Sequence, residues 1–90
     1  MQKFHFNFPP MNGLENFTVQ EQLAHISQET GECIAAFYDD DEYGMVSEAM
    51  DVIHAVETLL RMKGIIEDKA DELRNDVEYK NRIRGYYGEQ

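Results

Sequence analysis

Glu29 and Glu32 stand three residues apart in the run Glu29-Thr30-Gly31-Glu32, and Glu48 and Asp51 repeat the spacing in Glu48-Ala49-Met50-Asp51. On a helix, residues three apart lie on one side, about one turn from each other. Each pair therefore makes an acidic strip. Carboxylates held close together repel one another and resist desolvation. A hard divalent cation relieves both costs, and Mg²⁺ in particular binds through a few carboxylates together with substrate phosphates. Cations held this way can clamp phosphate oxygens and activate a water. A carboxylate left outside the metal shell can act as general base. The chemistry these residue types point to is binding of a divalent cation, with phosphate oxygens and water as its further ligands.

The elements that must carry the pairs are helices. Thr18 and Glu21 have the spacing of a capping box, so helix one is expected after Thr18. Leu23, Ile26, Thr30, Ile34 and Phe37 form its apolar face, and it should end near Tyr38. Four successive acids, Asp39-Asp40-Asp41-Glu42, oppose a helix C-terminus and read as a loop. Helix two runs from Tyr43 or Met45 to Lys63, stopped by Gly64. Its apolar residues Met45, Val46, Ala49, Val52, Ile53, Val56, Leu59 and Leu60 cover an arc of roughly 140° at ~100° per residue, wide enough for more than one neighbour. Glu48 and Asp51 lie beside that arc. Helices packed by their apolar arcs would bring the four acids together at the margin of the core. Helix three covers Glu67 to Arg84, with a thin stripe of Ala70, Leu73, Val77 and Ile83, and Gly85 ends it. Before the helices, residues 1–16 form an arm in which Phe4, Phe6 and Phe8 alternate with polar residues ahead of Pro9-Pro10 and Asn12-Gly13. The arm is expected to dock its rings on the helical body of residues 17–90, with the covering of a nucleobase as the sharper role.

Composition bounds the function. Ninety residues allow one small domain, and chains this short are marginal unless a disulfide, a metal or a partner helps. Cys33 is the only cysteine, which excludes an internal disulfide and leaves a metal or a partner subunit. A net charge of −10 argues against nonspecific binding to nucleic acid or anionic lipid. No apolar run reaches the ~20 residues that span a bilayer, and Met1-Gln2-Lys3-Phe4 does not begin a signal peptide. The expectation is a soluble cytoplasmic protein.

The pattern Glu-x-x-Glu, fifteen intervening residues, then Glu-x-x-Asp resembles the signature of the MazG-like nucleoside-triphosphate pyrophosphohydrolases. So do Gly31-Glu32, the apolar Val52-Ile53 after Asp51, and the ending Lys80-Asn81-Arg82-Ile83-Arg84-Gly85-Tyr86-Tyr87; the likeness spans Thr18 to Tyr87. The resemblance implies an enzyme that converts an NTP or dNTP to the monophosphate and pyrophosphate, as nucleotide-pool housecleaning. It implies Mg²⁺, with Mn²⁺ as a substitute, held by Glu29, Glu32, Glu48 and Asp51. The water-activating base falls within the acidic cluster, at Glu29 or Glu32. Lys80, Asn81 and Arg84 would meet phosphates or sugar, and their i, i+3 and i, i+4 spacings put them on one helical face. The implied fold is all-α, a helical hairpin plus a third helix, assembling as a four-helix-type bundle in a homodimer or homotetramer. One departure stands out. Many members carry basic residues between the acidic pairs, whereas this chain has no Lys or Arg from Cys33 to Glu57. A phosphate grip by helix one and its loop is therefore not carried over, and a divergent substrate preference is expected.

Other readings fare worse. Asp51-x-x-His54 resembles half of a di-iron motif, but helix one has no matching His after Glu29. An EF-hand over Asp39 to Met50 would place Met50 where a bidentate Glu is required. His5 and His25 read as surface residues, and Cys33 as part of a helix interface. The rival from another class is a noncatalytic acidic interaction protein such as a DNA mimic, which would spread its acids instead of converging them.

Overall fold

The computed structural model describes Phe4 and residues 6–88. It is all-helical, with α1 at Val19–Tyr38, α2 at Glu42–Met62 and α3 at Glu67–Ile83, and no strand among the described residues. Among the described residues no helix is long and apolar enough to cross a membrane.

The boundaries follow local chemistry. Thr18 Oγ1 accepts from the Glu21 backbone N–H at 3.0 Å, and Glu21 Oε1 accepts from the Thr18 N–H at 2.9 Å, which completes the capping box. The Thr18 backbone N–H foremost, and the Thr18 hydroxyl after it, hold the Glu21 carboxyl below its ordinary range by hydrogen bonding to it. All three helices end in the same left-handed stop. After α2, Gly64 (φ +71°) sends its N–H to Arg61 O and Ile65 sends its own to Leu60 O. After α3, Gly85 and Tyr86 repeat the arrangement on Arg82 O and Asn81 O. After α1 the left-handed position is Asp40 (φ +56°), which a short polar side chain tolerates better than most.

The acidic run is thereby divided. Asp39 and Asp40 make the turn, but Asp41 caps α2 by accepting from the Gly44 N–H at 2.9 Å, and Glu42 is already helical. Acids that oppose the end of α1 favour the start of α2, where the dipole has the opposite sign. The full four-residue loop read from charge alone is corrected accordingly. A Cβ at Gly44 would meet only the Asp41 carboxylate, so a side chain there requires that flexible group to shift.

Helices α1 and α2 pack against each other as an antiparallel hairpin, and α3 packs against neither. The faces that meet are only partly the expected apolar arcs: Ile26 on α1 and Met45, Val52, Ile53 and Leu59 on α2 are half-buried, while the rest of each arc is exposed. On α1 the buried or half-buried positions are Gln22, Ile26, Glu29, Cys33 and Ala36, a strip with spacings of four and three; on α2 they include Glu48, Val52, Ala55, Thr58, Leu59 and Met62. Ala36, Ala55 (4% exposed), Gln22 (3%) and Thr58 are the most buried residues. Small side chains let the backbones approach, and the polar ones are satisfied on the way in. Gln22 Nε2 donates to Ala55 O at 2.7 Å, Thr58 Oγ1 to His54 O at 3.0 Å, and Cys33 Sγ to Met45 O at 3.2 Å.

The apolar stripe of α1 lies about 90° away from this strip, at 3.6 residues per turn. It leaves Leu23, Ile34 (53% exposed) and Phe37 in solvent. On α2, Val46 (51%), Val56 and Leu60 face away from α1. The wide arc of α2 is thus two faces, of which the hairpin covers one. The chain exposes 7616 Å², against about 5,400 Å² for a compact monomer of its 10.5 kDa. The arm adds a clasp. The Phe8 ring stacks on His54 at 4.7 Å, the Phe8 N–H donates to Glu57 at 2.8 Å, and Arg61 donates to Asn7 at 2.9 Å. Phe4 and Phe6 instead stack on each other at 5.4 Å. The expected docking thus holds for Phe8, and His5 lies outside the described residues.

Candidate metal centre

Two cross-helix hydrogen bonds set the register of the hairpin. Cys33 reaches Met45 near the turn, and Gln22 reaches Ala55 further along. Between those rungs, Glu29 of α1 comes opposite Glu48 and Asp51 of α2. One carboxylate oxygen from each of Glu29, Glu48 and Asp51 lies within 4.8 Å of the other two. Glu29 and Glu48 are half-buried and Asp51 is exposed, so the group sits at the rim of the helix interface with one side open.

Glu32, one turn along α1, is exposed and stands outside that trio, although it still bears on Glu48. Gln28 Nε2 donates to Glu32 Oε1 at 3.4 Å. The acids predicted from spacing therefore fall into a converging set of three and one neighbour.

Glu48 is the centre of the electrostatic problem. Its Oε2 is buried with no hydrogen-bond donor in reach. Desolvation, then hydrogen bonding with Glu29 and Glu32, then the charges of Glu32 and Asp51 push its carboxyl up to about 7. The neighbours are acceptors when ionised, so a bond forms only if a proton sits between the oxygens. A cation can replace that proton. All the available donors are carboxylate oxygens, the ligand type that Mg²⁺ and Mn²⁺ take. A buried oxygen without a donor and three oxygens converging from two helices fit such an ion.

His25 Nε2 lies 3.6 Å from Glu29 Oε1. The histidine is surface-exposed, as read from sequence, but its i, i+4 relation to Glu29 was a signal that it belongs beside the site. His54 is half-buried under Phe8, and its Nε2 has no hydrogen-bond partner. Nothing in the spacing of the acidic pairs pointed to it; the arm that covers it comes from far away in sequence.

Lys80, Asn81 and Arg84 are not brought to the acids within one chain, because they ride on α3. Lys80 and Arg84 line one shallow cleft of about 410 Å³ together with Tyr79 and Ile83, and the Arg84 guanidinium lies 6.0 Å from the Tyr86 ring centre. No family model, curated protein or solved structure matches this chain.

Proposed function

We propose that this chain is a Mg²⁺-dependent nucleoside-triphosphate pyrophosphohydrolase, releasing a nucleoside monophosphate and pyrophosphate. The observations that support this most are the convergence of Glu29, Glu48 and Asp51 and, on Glu48, a buried oxygen without a donor. In this reading those three residues hold Mg²⁺ or Mn²⁺. When bound, the ion would supply charge compensation for the phosphates and Lewis-acid activation of water. Glu32, beside the trio but not in it, is free to take the proton of the attacking water. The water attacks at the α–β linkage, the bond to the bridging oxygen breaks, and pyrophosphate leaves. Glu29, Glu48 and Asp51 then need no protonation change of their own.

The proposal includes an assembly. The stripes at Leu23, Ile34 and Phe37 on α1 and at Val46, Val56 and Leu60 on α2 suit a second copy, closing a four-helix-type bundle in a homodimer or homotetramer. The surface in excess of a compact monomer, roughly 2,200 Å² by the same scaling, is of the size a stable interface buries. In such an assembly the α3 of another copy can present Lys80, Asn81 and Arg84 to the phosphates, where Arg and Lys donors stabilise charge on the leaving group. Housecleaning of the cytoplasmic nucleotide pool is the role this activity would serve. A DNA mimic needs its acids spread over a surface, and the converging trio favours the metal site over it.

The test is a panel of NTPs and dNTPs with Mg²⁺, following pyrophosphate and orthophosphate separately. Pyrophosphate release is expected from at least one substrate, absent in EDTA, and reduced about 10²–10⁴-fold in Glu32→Gln, the range for loss of a general base. Orthophosphate as the product, or hydrolysis that persists in EDTA, overturns the assignment.

A further inference from the structure

Helix α2 keeps a strip that neither α1 nor the arm covers. Glu42, Val46 and Met50 follow one another at i, i+4 and i+8, and all three are exposed. Residues four apart share one side of a helix. The strip is acidic where it starts and apolar beyond. Asp39, Asp40 and Asp41 stand beside its acidic end, and a cleft of about 230 Å³ opens there between Phe37, Met45 and the acids 40–42. The dipoles of α1 and α2 end at this turn with opposite signs, so the side-chain charges decide the local field. Helix α3 carries the same pattern in reverse. Leu73, Val77, Lys80 and Arg84 succeed one another in steps of four, three and four, all exposed, apolar first and cationic last. From Tyr79 to Gly88 there are three cations and no acid, in a chain of net charge −10, so this is the stretch that an acidic surface attracts. Yet α3 packs against neither helix of its own chain, and it starts at the far end of α2 from the acidic turn.

We propose that the second half of α3 from a second copy docks antiparallel on the first half of α2. With Val77 opposite Val46, the equal four-residue steps put Leu73 opposite Met50. The stretch from Lys80 to Arg84 then lies opposite residues 39–43, centred on Asp41. Apolar side chains meet apolar ones and cations meet the acidic run in a single register. Run the other way, Arg84 would arrive at Glu57, which the Phe8 N–H and Arg61 already hold. Exposed ion pairs contribute little energy, so the apolar strips supply the attraction and the charges set direction and partner. Two copies related by a two-fold axis make this contact twice, since the strip of each faces the α3 of the other. The contact leaves Leu23, Ile34 and Phe37 of α1 for the hairpin-to-hairpin pairing. It stands independently of the pyrophosphohydrolase reading. Phosphates bound by Lys80 and Arg84 would draw them from this turn, so nucleotide and α3 docking compete.

The experiment is disulfide trapping on the full chain, without metal or nucleotide. In a Cys33→Ser background, one protein carries Glu42→Cys and another carries Lys80→Cys; the two are mixed and oxidised. A mixed disulfide dimer should form at least tenfold more than when Arg74→Cys, which lies off the strip, replaces Lys80→Cys. Sedimentation velocity gives the second measurement. Lys80→Glu and Val77→Asp should each weaken the dimer at least tenfold, and adding Glu42→Lys to Lys80→Glu should bring the Kd back to within threefold of the parent. Circular dichroism checks that each variant stays helical. Three outcomes overturn the proposal. One is a monomer at every concentration. Another is a dimer whose Kd is unchanged by both Lys80→Glu and Val77→Asp, which would place the second copy on a different face. The third is a Glu42→Cys/Lys80→Cys protein that links only within one chain while the mixture links nothing, which would mean that α3 folds back on its own α2. Glu32→Gln, inactive by the hydrolase reading, should dimerise like the parent, so failure of one reading leaves the other standing.

Discussion

The α1–α2 hairpin and α3 are equally good helices locally and very unequal in what they bury. Each ends in the same left-handed stop, and each carries an apolar stripe. Yet α1 and α2 bury Gln22, Ala36, Ala55 and Thr58 between them, while α3 has no buried residue and touches neither helix. The difference lies in side-chain size along one strip. Alanine, cysteine and threonine at helical spacing let two backbones close up, and the carboxylates on that strip are then carried to the seam. On α3, Leu73 and Val77 sit among charged residues and remain exposed, so that helix is placed by its neighbours in an assembly or not at all.

The comparison can be broken most forcefully at Ala55. Ala55→Leu should cost about 1–3 kcal/mol by overpacking the seam, read by urea unfolding. It should also weaken Mg²⁺ binding, since Glu48 and Asp51 move away from Glu29. Next in size, Asp41→Ala should cost about 1 kcal/mol, the usual value of a lost N-cap, because the Gly44 N–H loses its acceptor. That effect should appear in α2 hydrogen exchange at Met45 and Val46 before it appears elsewhere. On the other side of the comparison, Leu73→Ser should change stability by no more than about 0.5 kcal/mol at a dilution where the chain is monomeric, as for an ordinary surface site. A loss several times larger under those conditions would mean that α3 is docked and the contrast false.

The smallest effect is a pH slope. Glu48 titrates near 7 in the folded chain against an ordinary 4.5. A raised carboxyl stabilises the fold only while protonated, so this contribution is complete below about pH 4.5 and is lost as pH rises to about 7. In EDTA the melting temperature should therefore fall across that window relative to Glu48→Gln, which carries no such proton. Mg²⁺ should restore it most at the alkaline end, where the carboxylate is charged. A parallel pH dependence in the two proteins would contradict the assignment of the strain to Glu48.

Much of this was legible in the residues themselves. The Thr18–Glu21 cap, the stop at Gly64, the three helices and the two acidic pairs follow from rules acting within a turn or two of helix, where spacing alone says which groups meet. The division of the acidic run at Asp41 was also local, and was missed because net charge was weighed without the reversal of the helix dipole between one end of a turn and the other.

What only the tertiary structure decided is which face of each helix meets the other. Hydrophobicity marked Leu23, Ile26, Thr30, Ile34 and Phe37 as the contact face of α1, but only Ile26 of these is half-buried; the closest approach goes to the smallest side chains, on a strip centred a quarter turn away. That choice separates Glu32 from the trio of Glu29, Glu48 and Asp51, brings the arm across His54, and leaves Lys80, Asn81 and Arg84 on a helix apart. Each is a relation between distant segments, settled by how closely two backbones can pack and by where the turn between them sets the register.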